Sequence, residues 1–144
     1  MLCIGARWEV DILSSAMLAH ALRLRHVAAQ SHAEAFIQSQ VDMMAEIPSD
    51  IKILCISIFH QQPLAQIRLL QHQIGQQRPD LELVFATWAN DEDEMRLEAK
   101  NRFDVEVVSS VNELLLSIDV LLMQQGENPA RQLLNDNEAE RLEA

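Results

Sequence analysis

The stretch that most constrains the fold is residues 51–59, which reads IKILCISIF. Seven of its nine residues are apolar, and isoleucine, which is β-branched, recurs at positions 51, 53, 56 and 58. Proline and other turn residues lie on both sides of it, in Pro48-Ser49-Asp50 before the run and Pro63 after it. This composition is typical of a strand that is buried on both faces. Such a strand needs helices above and below it, so the run favours a parallel sheet in a layered α/β fold.

Further apolar runs predict strands at 1–6, 26–30, 81–86 and 105–108. Apolar residues three and four positions apart predict helices at 10–24, 33–44, 63–77 and 111–122, with a short helix after residue 91. We expect the first helix to cover the sheet with one apolar stripe, formed by Val10, Leu13, Met17, Ala21 and Leu24. Two Ser-x-x-Glu patterns, Ser31 to Glu34 and Ser110 to Glu113, predict capping boxes at helix starts. Asn90 or Asp91 is expected to cap the short helix.

The resulting order is a strand followed by a helix, five times over, without internal repeats. Right-handed crossovers then favour a doubly wound, five-stranded parallel sheet in the flavodoxin-like order 2-1-3-4-5, with helices on both sides in three layers. We expect residues 1–123 to form a single α/β domain. Residues 124–144 carry little apolar content, so we expect a flexible acidic C-terminal tail.

In a sheet of this kind, ligands bind at the carboxyl ends of the strands, near the point where the strand order reverses. The sequence places mainly polar and aromatic residues at these ends. We predict a ligand or partner rim formed by Arg7, Trp8, Glu9, His60, Gln61, Thr87, Trp88 and Asn90. The two tryptophans either line a pocket or partner contact, or cap the core at the strand ends.

The sequence lacks the residues that the common functional sites of such folds require. A phosphate-binding loop needs glycines after the first strand, and Gly5 stands alone there. A phospho-accepting receiver needs an aspartate where this chain has Phe59-His60 and a lysine where it has Ser109. The histidines do not cluster with metal-ligand spacing. We therefore predict no catalytic residue, no metal site and no cofactor.

Charge and cysteine usage narrow the class of protein further. With 22 acidic and 11 basic residues, the formal net charge is -11, which disfavours nucleic-acid binding. We attribute the acidic excess to solubility rather than to an acidic docking face. Cys3 and Cys55 both lie inside apolar strand-like runs, so we expect buried, reduced thiols and a cytoplasmic protein. The chain begins almost directly in a strand, which suggests a domain cut from a longer protein.

Three segments together resemble a known family: MLCIGARWEVDILSSAMLAHALR, ILCISIFHQQPLAQIRLLQHQIGQQRPDLELVFATW and DVEVVSSVNELLLSI. They are similar to the soluble carboxyl-terminal domain of some bacterial membrane permeases of the autoinducer-2 exporter type. That domain is in turn similar to the cobalamin-binding α/β domain. The resemblance covers roughly residues 1–122, and its most specific element is RPDLELVFATW.

The resemblance implies a non-catalytic cytoplasmic regulatory or interaction domain of a transporter-like membrane protein. Its partner would be the membrane-spanning part of its own longer chain, another protein or a small ligand. The alternative is a small-molecule, cobalamin-like sensor, although the family's Asp-x-His-x-x-Gly motif is missing and Arg7-Trp8-Glu9 stands in that loop. A small enzyme that uses Cys3 or His60 is the third hypothesis.

Overall fold

The structure is a computed structural model, and it describes residues 1–36, 45–88 and 93–123. The strands are β1 (Leu2–Gly5), β2 (Gln30–Ser31), β3 (Ile53–Ile58), β4 (Glu82–Thr87) and β5 (Glu106–Val108). The helices are α1 (Glu9–Leu24), α2 (Leu64–Gln77), α3 (Asp93–Phe103) and α4 (111–123). The strands form one parallel sheet in the order β2-β1-β3-β4-β5. This confirms the predicted α/β three-layer fold and its strand order.

Strand β3 is the centre of the sheet, as its sequence predicts. All six of its residues are buried, and it pairs with β1 on one side and β4 on the other. In this register Ile4, Ile56 and Phe85 lie side by side. They belong to an apolar cluster on one sheet face, to which α2 contributes Ile67, Leu70 and Ile74 and α3 contributes Met95 and Ala99.

The opposite face of the sheet is covered by α1, which contacts β1, β2 and β3. The helix approaches β1 very closely at Gly5. A Cβ atom on Gly5 would lie 2.5 Å from the backbone nitrogen of Ile12 and 2.7 Å from the carbonyl carbon of Asp11. Only glycine fits there, because both neighbours are backbone atoms that no side-chain rotation can move.

The prediction of which face of α1 is buried was wrong. Val10, Leu13, Met17 and Leu24 are exposed. The buried positions are instead Asp11, Ser15, Leu18, Ala19 and Leu22. The small residues on this side allow the close approach to β1, and the Ser15 hydroxyl is satisfied because it donates to the Ile12 carbonyl at 2.7 Å.

The second strand and the start of the next helix were also misplaced. The strand comprises Gln30–Ser31 rather than 26–30. After α1, His26 has a positive φ of 63° and the amide of Val27 donates to the Leu22 carbonyl, so the chain turns at this point. The capping box at Ser31 does not form, because Ser31 is in the strand and the Glu34 amide donates to Nδ1 of His32.

Some of the remaining sequence predictions were confirmed, and others concern residues that the structure does not describe. Glu113 donates its amide to the Ser110 hydroxyl, as the second capping box predicts. Cys3 and Cys55 are buried, free and adjacent in register. Most of the predicted second helix, Asn90 and Asp91, and the tail 124–144 lie outside the described residues. The chain divides into two compact units, Met1–Leu114 and Leu115–Ala144. No helix in the described part of the chain is both long and apolar enough to cross a membrane.

Candidate functional site

The centre of the candidate site is the carboxylate of Asp11, between the carboxyl ends of β1 and β3. Asp11 is the third residue of α1 and is fully buried. Its Oδ2 accepts the amides of Arg7 at 3.0 Å and Trp8 at 2.9 Å, and its Oδ1 accepts the amide of Phe59 at 2.7 Å. One side chain therefore holds together the two loops that meet where the strand order reverses.

The backbone amides at this edge of the sheet already have an acceptor. Backbone amides at the start of a helix after β1 are the usual anion-binding groups of such folds. Here two such amides, of Arg7 and Trp8, and the Phe59 amide after β3 already bind an anion that belongs to the chain, the carboxylate of Asp11. The first helical turn also favours a negative charge at this position.

The outer surface of the loop is formed by Arg7 and Trp8. Trp8 is 50% exposed, and Cζ of Arg7 lies 4.6 Å from the centroid of its indole ring. A cation at this distance from an aromatic face is attracted by the ring. Because the amides of both residues are bound to Asp11, the backbone that carries the pair is held in a defined position.

The β3 end contributes an exposed aromatic and an exposed imidazole. Phe59 and His60 follow the strand, and both are exposed. Nδ1 of His60 accepts the amide of Gln62 at 2.9 Å, so in the neutral imidazole the proton is on Nε2. Gln61 is exposed beside it.

The remaining predicted rim residues differ in exposure. Glu9 is exposed on the first turn of α1. Thr87 is fully buried at the end of β4, with its hydroxyl 3.5 Å from the Val108 carbonyl, and Trp88 is half-buried. Asn90 lies outside the described residues. The structure therefore brings Arg7, Trp8 and His60 to the surface and puts Thr87 below it.

A second polar cluster lies at the β5 end of the same edge. Arg96 of α3 forms an ion pair with Glu113 at 2.9 Å and donates to the Ser109 hydroxyl. Glu113 also accepts the Ser109 amide at 3.0 Å. The ion pair balances the two charges and connects α3 to the loop after β5, while Nε of Arg96 is buried without a hydrogen-bond partner.

The nucleophile candidates are not accessible. Cys3 and Cys55 are completely buried. The hydrogen bond with Cys3 and burial in the sheet raise the pKa of the Cys55 thiol well above its ordinary value. A thiol of this kind stays protonated and unreactive at neutral pH. Within the described ranges, no three histidine, cysteine or acidic side chains are grouped closely enough to hold a metal ion.

Sequence reasoning missed two members of the site, Asp11 and Phe59. Asp11 looked like an ordinary acidic residue in a first helical turn. It lies four and seven residues before Ser15 and Leu18 and shares their buried face of α1, which the apolar pattern of the sequence does not indicate. Phe59 was counted as the last residue of the central strand, whereas β3 ends at Ile58 and Phe59 is exposed.

Compared with known proteins, the chain matches no family model, no curated protein and no solved structure.

Proposed function

We propose that this chain is a non-catalytic, cytoplasmic interaction domain that binds a partner with the rim formed by Arg7, Trp8, Phe59 and His60. The observation that carries the proposal is the exposed Trp8 indole with Arg7 against it, on a backbone whose amides donate to Asp11. Tryptophan and arginine are the residues most often responsible for binding energy at protein interfaces.

The fixed geometry of the pair favours recognition. A side chain that is already ordered loses less conformational entropy when a partner binds it. The Asp11 hydrogen bonds order the backbone of Arg7 and Trp8 before any partner arrives. The Phe59 amide shares the same carboxylate, so the rims of β1 and β3 form one surface rather than two independent loops.

The state of the polar groups favours binding over catalysis. Both oxygens of Asp11 accept backbone amides, which makes the carboxylate a poor general base. The thiols are buried in the sheet. His60 has its Nδ1 hydrogen-bonded to a backbone amide and is exposed, an arrangement that positions a loop. These features weigh against the enzyme that would use Cys3 or His60.

The partner that we propose is the membrane-spanning part of a transporter-like protein, to which this domain would be covalently attached. This part of the proposal is supported by the sequence resemblance to the permease-associated domain. The rival is a small-molecule, cobalamin-like sensor, for which the exposed Trp8 ring could supply a stacking surface. The Asp11 carboxylate weighs against that rival where the ligand is anionic, because it occupies the amides at the switch point.

The direct test of the transporter link is the coding sequence upstream of Met1. We expect the reading frame to continue upstream and to encode several apolar segments of about 20 residues, the length that spans a bilayer. An in-frame stop codon directly before Met1 would contradict the covalent link. A continuing frame that encodes only soluble domains would contradict it as well.

A further inference from the structure

Helix α1 carries a second apolar stripe that faces away from the sheet. Val10, Leu13, Met17 and Leu24 are all exposed, with Leu13 at 60% and Met17 at 73%. Ala21 lies on the same line and is half-buried. The opposite side of the helix already covers β1 and β3. A helix that is apolar on two sides normally buries both of them.

The spacing of this stripe is symmetric about its middle residue. Positions 10, 13, 17, 21 and 24 are separated by three, four, four and three residues, so the pattern is the same in both directions from Met17. Between Val10 and Leu22 the only charged residue is the buried Asp11, in a chain whose net charge is -11. Depletion of charge is what distinguishes the centre of an interface from the rest of a surface.

We infer that this face binds α1 of a second copy of the chain, in antiparallel orientation, with Met17 on the twofold axis. The inference is independent of the proposed rim function. In this pairing Met17 packs on the partner's Met17, Val10 packs on the partner's Leu24, and Leu13 packs on the partner's Ala21. A twofold interface of this kind uses the same patch on both chains, which the symmetric spacing permits.

The charges at the two ends of the helix complement each other in this arrangement. Glu9 begins α1, Arg25 caps its end, and both are exposed. Antiparallel pairing about Met17 brings Glu9 level with Arg25 of the other copy at both ends of the interface. Within one chain they are about 24 Å apart, since a helix rises about 1.5 Å per residue, and cannot form a pair. Parallel pairing would instead bring like charges together.

The size of the stripe indicates a reversible dimer. One helical face is smaller than the roughly 800 Å² per partner of a standard stable interface, so we expect concentration-dependent association. The measurement is sedimentation equilibrium of the whole chain. Salt at about 0.15 M, where the Debye length is about 8 Å, screens the repulsion between the negatively charged chains. The average mass is expected to rise from 16.4 kDa towards twice that value with concentration.

The matched pair Leu13→Glu and Leu97→Glu tests the surface. Leu13 on α1 and Leu97 on α3 are 60% and 62% exposed, so both substitutions add one charge at an equally accessible helical position. We expect Leu13→Glu to remain monomeric and Leu97→Glu to associate like the wild type. A wild type that is monomeric at every concentration, or equal loss in both variants, would overturn the inference.

Charge reversal tests the orientation. Glu9→Arg and Arg25→Glu should each weaken association about three- to tenfold, because two symmetry-related pairs become repulsive. The double variant should recover affinity to within about twofold of the wild type, since the pairs are restored with opposite sign. Far-UV circular dichroism confirms that each variant is folded. Single variants that weaken association without recovery in the double variant would show that the antiparallel pairing is wrong.

Discussion

Asp11 and Phe59 are 48 residues apart in the chain and are joined by a hydrogen bond of 2.7 Å from the Phe59 amide to Oδ1 of Asp11. This bond connects the first turn of α1 to the end of the central strand. The other oxygen of the same carboxylate orders Arg7 and Trp8. The stability of the domain and the geometry of its rim therefore depend on one buried side chain.

Replacing Asp11 with Asn should destabilise the domain by about 2–4 kcal/mol, because the asparagine NH2 group cannot accept a hydrogen bond and at least one of the three partly buried amides loses its acceptor. Urea unfolding followed by circular dichroism measures the change. The control is Glu9→Gln, an exposed change two residues away, which should stay within about 0.5 kcal/mol. An Asp11→Asn variant as stable as the wild type would refute the structural role of the carboxylate.

Asp11→Ala should convert the same three amides into an anion site. We expect phosphate to raise the melting temperature of Asp11→Ala more than that of the wild type, in which the carboxylate already satisfies these donors. Comparison with the wild type removes the general stabilisation that phosphate gives to folded proteins. Equal shifts in both proteins would show that the amides are not available as a site.

Replacing each of the two described glycines with alanine should change the stability of the domain in opposite directions. Gly5→Ala places a Cβ 2.5 Å from a backbone nitrogen of α1, so we expect a loss of about 1–3 kcal/mol or more. Gly75 lies within α2, and a Cβ there meets nothing within 4 Å. Gly75→Ala should stabilise by about 0.5–1 kcal/mol through helix propensity. Denaturant unfolding of the pair is decisive, and a neutral Gly5→Ala would contradict the close contact of α1 with β1.

The domain should lose the stabilising contribution of the Asp80 carboxylate at acidic pH. The Arg78 guanidinium, which binds it at 3.0 Å, lowers the pKa of Asp80 from 3.8 to about 2. A carboxyl whose pKa is lower in the folded state stabilises the fold above its unfolded pKa, and this contribution disappears as the pH falls through the folded value. The stability difference between wild type and Asp80→Asn should be constant above about pH 5 and shrink towards about pH 2.

The interaction of Asp80 with Arg78 can be isolated with a second variant. Arg78→Gln also removes the guanidinium that donates to the Ile47 carbonyl, so it should cost more stability than Asp80→Asn at neutral pH. In the Arg78→Gln background, Asp80→Asn should have a smaller pH-dependent effect, because only the Lys52 ammonium at 3.8 Å and a backbone hydrogen bond remain to lower the pKa of Asp80. An undiminished acid-dependent difference in that background would assign the effect to another group.

Cobalamin is expected not to bind tightly. The loop after β1 has Arg7, Trp8 and Glu9, without a histidine that could ligate cobalt, and His60 comes from the β3 loop. Titration of adenosyl- or methylcobalamin with micromolar protein should leave the visible spectrum of the corrin unchanged. A base-off, histidine-ligated spectrum that disappears in His60→Ala would instead support the cobalamin-sensor alternative.

The central position of β3 was predictable because a strand buried on both faces leaves a continuous apolar run, as residues 53–58 do. The alternation of strands and helices, with right-handed crossovers, then favours the observed strand order. The buried face of α1 was not predictable in the same way. An apolar pattern predicts that bulky residues such as Leu13 and Met17 are buried, and not Ser15 and Ala19. The small residues are buried instead, because α1 lies so close to β1 at Gly5. Strand β2 consists of only two residues, both polar and exposed, so no apolar run marks it in the sequence.

For the candidate site, the positions of the strand ends were predictable from the sequence, and the residues exposed there only partly. Strand ends can be read from the sequence, so Arg7, Trp8 and His60 were expected at the rim and are exposed there. The role of Asp11 depends on a contact with Phe59 across 48 residues. Local patterns do not contain such a contact, since it exists only once β1 and β3 are neighbours.

The most direct test of the role of the rim is a binding measurement between the domain and the membrane-spanning part that we propose as its partner, expressed separately if the upstream reading frame encodes it. Trp8→Ala and Arg7→Ala should each weaken this binding by at least about tenfold, as expected for anchors at the centre of an interface. Leu97→Ala, which removes an equally exposed side chain from α3, should have no effect. Unchanged affinity in Trp8→Ala and Arg7→Ala, with both variants folded, would contradict the rim as the binding surface.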